Sequence, residues 1–298
     1  MLGALLMKIN GHTRMAAVVA NPIKHSLSPF IHNFTFDWTE ENGVYLAWEI
    51  PAEHLAECVA NVRNLDMYGI NLSMPFKSAV LDFVDEQSEE VRLIGAANTI
   101  VNSQGKLVAY NTDGRGFFES LKPYDFQMRG EILTIIGGGG AAIAIIAQAA
   151  LLGAKKINVL ARPSTSFEPL QHRLTALSVR TGIRIELISL SERFRLQSLL
   201  DESALLVNAT SVGMDGVGMP LDEEVRILPS TLVIDIIYKV KETPFLKWAK
   251  RQGAQTENGL GMLIGQAAES FRLWTGKVMP TSQVKEALLR EIENENKG

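Results

Sequence analysis

Short apolar runs alternate with segments of helical period through most of the chain, which is the pattern of an α/β protein. In the first part, residues 15–20 read as an apolar strand. Ser28 and Pro29 then open a helix, with serine as a cap and proline in the first turn. A strand over 44–50, a helix over 52–65 and a buried strand over 69–72 follow, and 80–84 and 89–94 read as short helical pieces. Residues 97–102 and 106–111 make a hairpin about Ser103, Gln104 and Gly105, so strand directions in this part are mixed.

A second pattern starts near Gly130. Residues 132–136 are continuously apolar, as expected of a central parallel strand, and run through four glycines into a helix over 141–152. Further strands are expected at 157–160, 183–187, 205–208 and 232–236, with helical stretches between several of them, which makes a doubly wound sheet. After Asn258 and Gly259 the pattern is helical, over 262–275 and again over 281–294. The last helix is highly charged and is expected to fray.

Composition narrows the function. A chain of 298 residues has room for two domains, and 46% hydrophobic with 21% charged residues describes a soluble globular protein. The net charge of −4 and the lack of a basic stripe argue against a nucleic-acid partner. Cys58 is the only cysteine, which excludes an intrachain disulfide and a cysteine zinc cluster. The apolar opening over 2–7 is too short to span a membrane and has no basic segment before it. Residues 1–7 are expected to be a disordered start. The long apolar stretch over 132–152 is already explained as strand, turn and helix. A cytoplasmic enzyme is the default reading.

Two places carry chemistry. The first is Gly137-x-Gly139-x-x-Ala142, between a strand and a helix. There glycines permit a tight turn and let a pyrophosphate approach the backbone, and the helix N-terminus faces the phosphates. The next strand ends at Ala161 and Arg162, with no acid to hold a ribose 2′-hydroxyl. Arg162 suits a 2′-phosphate instead, which favours NADP over NAD. The second place is Lys77. Met74 and Pro75 stop the strand at 69–72, so Ser73 and Lys77 would project where ligands commonly sit; a solvated surface lysine is the plain alternative.

With these pieces in order, the chain resembles the shikimate dehydrogenases, including their quinate/shikimate branch. The resemblance runs from about Ile9 to Leu289. It rests on Asn21 through Pro29 (NPIKHSLSP), Asn71 through Lys77 (NLSMPFK), Gly95 through Thr99 (GAANT), Asn111 through Gly114 (NTDG) and the glycine turn. It continues in Asn208 through Met214 (NATSVGM), Asp235 through Tyr238 (DIIY) and Asn258 through Leu263 (NGLGML) with Gln266. It implies an α/β fold of two domains: an N-terminal substrate domain with a mixed sheet, and a Rossmann-like doubly wound dinucleotide-binding domain. Residues 8–113 with 260–298 would form the first and 114–259 the second, either side of a cleft.

The resemblance also implies roles. Lys77 and Asp113 would be the catalytic pair. Ser26 and Ser28 would hydrogen-bond the substrate carboxylate; Ser73, Asn98 and Gln266 would hold ring hydroxyls, with Tyr238 nearby. Gly137, Gly138, Gly139, Gly140 and Ala141, with Ala161 and Arg162, would bind the dinucleotide, and Ile236 and Gly259 would lie near the nicotinamide. The implied reaction is the reversible NADPH-dependent reduction of 3-dehydroshikimate to shikimate in aromatic amino acid biosynthesis. No metal or membrane takes part, and a homodimer is allowed. Oxidising a secondary alcohol needs loss of the hydroxyl proton to a positioned base, and in the reducing direction a lysine ammonium is the matching acid.

The chain departs from the family pattern at the residues flanking Arg162, which are Ala161 and Pro163, and at Ser166, where a second basic residue is often found. These leave NAD open as a cofactor. Ser73 stands where threonine is frequent, leaving a roomier pocket that could admit quinate. A quinate/shikimate dehydrogenase using NAD is the nearest rival, and a dinucleotide-sensing regulator without turnover is a rival from another class. Plain structural roles remain for Ser28 as a helix cap, Asp113 as a turn residue and Tyr238 as a half-buried aromatic. His25 and His32 read as structural.

Overall fold

A computed structural model describes residues 9–295, so the opening over 1–7 lies outside the described residues. The chain divides into two compact units, Met1–Gly116 with Ile264–Gly298, and Phe117–Leu263.

The first unit begins with β1 (Arg14–Ala20), α1 (Ser28–Trp38) and β2 (Gly43–Glu49). A 3₁₀ turn leads into α2 (Leu55–Asn64), followed by β3 (Gly69–Leu72) and the short α3 (Phe76–Ala79). Then come β4 (Glu86–Gln87), α4 (Glu89–Ile94), the hairpin β5 (Thr99–Ser103) and β6 (Lys106–Tyr110), and the start of α5 (Asp113–Ser120). The sheet order is β2-β1-β3-β5-β6-β4. β1 runs parallel to β2 and β3, whereas β5 is antiparallel to both β3 and β6, giving the mixed sheet that the hairpin turn anticipates. Leu55, Val59 and Val62 recur on one face of α2, and that face packs on Ala17, Val19, Ile70 and Leu72 of the sheet.

The second unit contains β7 (Ile132–Ile136), α6 (Gly140–Leu151), β8 (Lys156–Ala161), α7 (Phe167–Thr181) and β9 (Arg184–Ser189). It continues with α8 (Arg193–Asp201), β10 (Leu205–Asn208), β11 (Leu232–Asp235), α9 (Pro244–Arg251) and β12 (Gln255–Glu257). Its six strands are all parallel, in the order β12-β11-β10-β7-β8-β9. The connection reverses direction between β7 and β10, and ligands of doubly wound sheets bind at such a switch point. α6 is apolar on nearly every face because it is buried from Ala142 through Ala147, and its alanines allow close approach to the sheet. The chain ends with α10 (Leu260–Thr275) and α11 (Thr281–Glu295).

Three local readings differ from expectation. Ser28 is the first residue of α1 rather than its cap; Leu27 takes the cap position and makes no side-chain cap bond. Asp113 opens α5 instead of forming a plain turn. The edge strand β12 was not anticipated, because Gln255, Thr256 and Glu257 carry no apolar alternation.

Candidate active site

In the first unit, β3 delivers the chain to the site. Beyond Leu72 the ladder continues for one more bond, from Ser73 N to the Val19 carbonyl at 3.1 Å. Phe76, 1% exposed, anchors α3 in the core, and the next residue, Lys77, turns outward. The Lys77 carbonyl accepts from Ala97 N at 2.7 Å, which ties α3 to the segment that carries Asn98. Asp113 is set by its neighbour Asn111, whose Oδ1 accepts from Asp113 N at 3.2 Å and whose Nδ2 donates to the Ala96 carbonyl at 3.0 Å.

These supports bring three of the expected residues together. Lys77 Nζ donates to Asp113 Oδ2 at 2.6 Å, and Asn98 Nδ2 donates to Asp113 Oδ1 at 2.7 Å. The lysine side chain is 27% exposed and the aspartate side chain 11%, so the ion pair sits at the wall of the unit with the ammonium on the accessible side. Asn98 itself is 3% exposed. Its Oδ1 accepts from Thr112 N at 2.8 Å, and its second amide hydrogen reaches Thr112 Oγ1 at 3.0 Å. In this arrangement both hydrogens of its amide are already directed within the protein.

Ser26 and Ser28 lie side by side, both half-buried, with Ser26 Oγ accepting from Ser28 N at 3.2 Å. The Ser28 side chain hydrogen-bonds the buried Tyr45 hydroxyl, and burial holds that phenol well above its usual pKa. Tyr45 donates in turn to Asn71 Oδ1 at 2.7 Å. Ser73 is half-buried at the end of β3. Gln266 is half-buried on α10, and there two helices touch main chain to main chain. A Cβ on Gly116 of α5 would lie 2.1 Å from Gln266 N, and one on Gly265 would lie 2.2 Å from the Gly116 carbonyl oxygen. Only glycine at both positions lets α10 come this close to the helix that Asp113 begins.

The two histidines differ. His25 is exposed. His32 is fully buried and stacks on Tyr45 with ring centroids 4.2 Å apart, and neither of its ring nitrogens has a hydrogen-bond partner. Burial pushes its pKa down to about 3, so the ring is neutral.

The second unit holds the other expected residues. Gly137 follows β7 with φ +113°, and a Cβ there would lie 2.9 Å from the Ala209 carbonyl oxygen. A Cβ on Gly138 would lie 2.3 Å from Leu170 Cδ2. Gly139 and Gly140 instead face open space at the start of α6, whose first turn has no side-chain cap. Uncapped N–H groups beside a glycine cradle fit a pyrophosphate. Ala141 is half-buried in the first turn of α6. Ala161 closes β8, and Arg162 after it is exposed, free to reach a 2′-phosphate. Ile236 and Gly259 are in contact: a Cβ on Gly259 would fall 1.9 Å from the Ile236 carbonyl oxygen, and Gly259 N donates to the Ile237 carbonyl at 3.1 Å. Behind them Asp235, fully buried, accepts from Asn208 Nδ2, Ile237 N and the Thr243 hydroxyl, and burial raises its pKa. Tyr238 belongs to this unit, three residues beyond Asp235; it is half-buried, and desolvation raises its phenol pKa.

Sequence reading did not single out Tyr45 or Ser270. Tyr45 sits in an ordinary strand pattern and Ser270 in an ordinary helix, and only the tertiary fold turns them toward the polar cluster. Asn71, Thr99 and Thr112 stand inside motifs already noted, yet nothing local marks them as members of one network.

A mixed-sheet α/β unit bearing a lysine–aspartate pair and, in the same chain, a Rossmann-like unit with a glycine cradle define a two-domain protein of the dinucleotide-binding class. Residues 18–100 match the shikimate dehydrogenase substrate binding domain, and residues 259–289 match the shikimate 5′-dehydrogenase C-terminal domain. The chain belongs to the shikimate dehydrogenase family. It is 63% identical over 286 residues to the shikimate dehydrogenase (NADP(+)) of Lactococcus lactis subsp. cremoris (strain MG1363), spanning 96% of this chain and 100% of that protein. It is 54% identical to that of Streptococcus sanguinis (strain SK36), over 95% of this chain and 98% of the other. Among solved structures, the shikimate 5-dehydrogenase of Listeria monocytogenes, in complex with shikimate and NAD, is 37% identical with a TM-score of 0.91. It covers 94% of this chain and 98% of its own.

Proposed function

We propose that this chain is a shikimate dehydrogenase that reduces 3-dehydroshikimate to shikimate, reversibly, with NADPH. The observation that carries the reading is the contact of Lys77 Nζ with Asp113 Oδ2 at 2.6 Å, in a family whose members share nearly the whole length of this chain. The names of the Lactococcus and Streptococcus relatives, both shikimate dehydrogenase (NADP(+)), support the substrate and the cofactor.

The dinucleotide, when bound, supplies the hydride. The protein supplies the proton and the orientation. In the reducing direction the Lys77 ammonium gives a proton to the oxygen of the carbonyl as it becomes a hydroxyl. In the reverse direction neutral Lys77 takes that proton back. Asp113 is the countercharge and orienter, since its carboxylate accepts on both oxygens and has no hydrogen to pass on while it does so. Ser26 and Ser28 are the anchors for the substrate carboxylate, and Ser73 and Gln266 serve the ring hydroxyls. Asn98 holds Asp113. In the second unit the first turn of α6 and Arg162 hold the phosphates, and the open faces of Gly139 and Gly140 leave room for them. A cytoplasmic role in chorismate formation, without a nucleic-acid partner, belongs to the same reading and agrees with the net charge of −4.

A second reading, turnover with NAD, is favoured by one observation: the Listeria structure is a complex with shikimate and NAD. Steady-state kinetics of the purified protein with shikimate and quinate, each with NADP and NAD, decides between them. The proposal expects the highest kcat/KM for shikimate with NADP. A higher value for quinate with NAD overturns it, and no turnover with any pair would support the regulator.

A further inference from the structure

Asn98 and Asp113 are backed by groups that the chemistry above does not use. The hydroxyls of Thr99, Thr112 and Ser270 form a triangle. Its sides are 2.9 Å between Thr99 and Ser270, 3.2 Å between Thr112 and Ser270, and 3.4 Å between the two threonines. All three residues are buried. Asn71 completes the group: its Nδ2 lies 2.9 Å from Thr99 Oγ1, 3.0 Å from Ser270 Oγ and 3.1 Å from the Asn98 carbonyl.

Main-chain groups fix the sense of these bonds. The Asn98 carbonyl can only accept, so the Asn71 atom facing it is nitrogen, and Asn71 Oδ1 must accept from the Tyr45 hydroxyl. The Thr112 N–H can only donate, so the Asn98 atom facing it is Oδ1. Asn98 Nδ2 therefore turns to Asp113. Ser270 has a full-time acceptor for its single hydrogen in the Gln266 carbonyl, 3.0 Å away and one turn back in α10. Its oxygen is then left to accept, from Asn71 at 3.0 Å and from the hydroxyls of Thr99 at 2.9 Å and Thr112 at 3.2 Å. Without that oxygen, Thr112 could turn its hydroxyl only to Thr99 or to Asn98 Oδ1, which already receives Thr112 N and Thr99 Oγ1. A buried network that loses one member leaves the others under-satisfied, and here the slack falls on Asn98.

We propose that Ser270 is a positioning residue for the reaction: through Thr112 and Asn98 it fixes the Asp113 carboxylate that holds Lys77. This presupposes the acid–base role given to Lys77 and Asp113. The Ser270 bonds described go to Asn71, Thr99, Thr112 and the Gln266 carbonyl, so its effect passes through them.

The test is Ser270→Ala assayed with 3-dehydroshikimate and NADPH, per active site titrated with NADPH, beside wild type, Lys77→Ala and Asp113→Asn. Thr35→Val is the control, since Thr35 is a fully buried hydroxyl of the same unit that bonds only along α1, to the Ile31 carbonyl at 2.8 Å. Ser270→Ala is expected to lower kcat about three- to tenfold, the rate equivalent of one net hydrogen bond. KM should stay nearly constant and Thr35→Val should match wild type. Added to Asp113→Asn, Ser270→Ala should cost nothing further, because its route to Lys77 is already cut. Wild-type kcat in Ser270→Ala, an equal loss in Thr35→Val, or full additivity with Asp113→Asn would each overturn the proposal. Should the alanine variant fail to fold, Ser270→Cys, which keeps the bulk and only a weak donor and acceptor, is read by the same criteria. The two failures are distinguishable. If Lys77→Ala keeps its turnover, the acid–base reading falls and takes Ser270 with it; if Lys77→Ala is inactive and Ser270→Ala is silent, the positioning role alone falls.

Discussion

Lys77 Nζ meets Asp113 at 2.6 Å on Oδ2, and the other carboxylate oxygen is already taken by Asn98 Nδ2 at 2.7 Å. Both oxygens therefore accept, which is the bonding of an ionised carboxylate and leaves it the work of orientation. Asp113→Asn puts an amide N–H against either the lysine ammonium or the Asn98 amide, donor against donor. It should lower kcat about a hundredfold, on the scale of lost acid–base catalysis, with the fold retained. Steady-state kinetics with a thermal melt checks both parts, and near-normal kcat would remove Asp113 from the mechanism.

His32 predicts an acid limb of stability. Its folded pKa is lowered to about 3 by burial, against an ordinary value of 6.5. Between those values the unfolded chain binds the extra proton, so stability is full above about pH 6.5 and falls as the pH drops toward 3. The full loss amounts to something on the order of 5 kcal/mol. His32→Phe keeps a ring against Tyr45 and removes the titration, so denaturant unfolding of the variant should lose less stability between pH 7 and pH 4 than wild type. Equal acid loss in both proteins would assign the limb to other groups.

Gly137 tests the cofactor cradle. Its φ of +113° and a Cβ position 2.9 Å from the Ala209 carbonyl oxygen leave no room for a side chain. Gly137→Ala is expected to weaken NADPH binding by about tenfold or more, the equivalent of roughly 1.4 kcal/mol. Fluorescence titration of NADPH reads this directly, and an unchanged Kd would mean that the turn does not shape the site.

Ser73 tests substrate choice. Threonine adds one methyl to a half-buried position at the end of β3. Ser73→Thr should raise the ratio of kcat/KM for shikimate over quinate by about tenfold, the worth of one methyl group in a tight pocket. A ratio that stays level would place the discriminating contact elsewhere.

Much of this was legible in the chain because glycine and proline punctuate it. Met74 and Pro75 stop β3 ahead of Lys77 because proline donates no ladder bond, and the run of glycines after β7 marks the cradle, where Gly137 takes φ +113° and a Cβ on Gly138 would collide with Leu170. The start of α5 was hidden because Asp113 and Gly114 read equally well as a turn, and its position depends on Asn111 and on the glycine contact with α10. Ser28 looked like a helix cap by residue type, yet its hydroxyl goes across to Tyr45, a partner distant in sequence. Ser270 carried no signal at all: a serine in the middle of an amphipathic helix gains meaning only when Asn71, Thr99 and Thr112 are folded against it.

Lys77→Ala measures the central claim most directly. With 3-dehydroshikimate and NADPH, kcat should fall at least about a hundredfold, the scale of a lost proton donor, while KM changes little. A large rise in KM at nearly unchanged kcat would contradict the acid–base role and make Lys77 a binding residue.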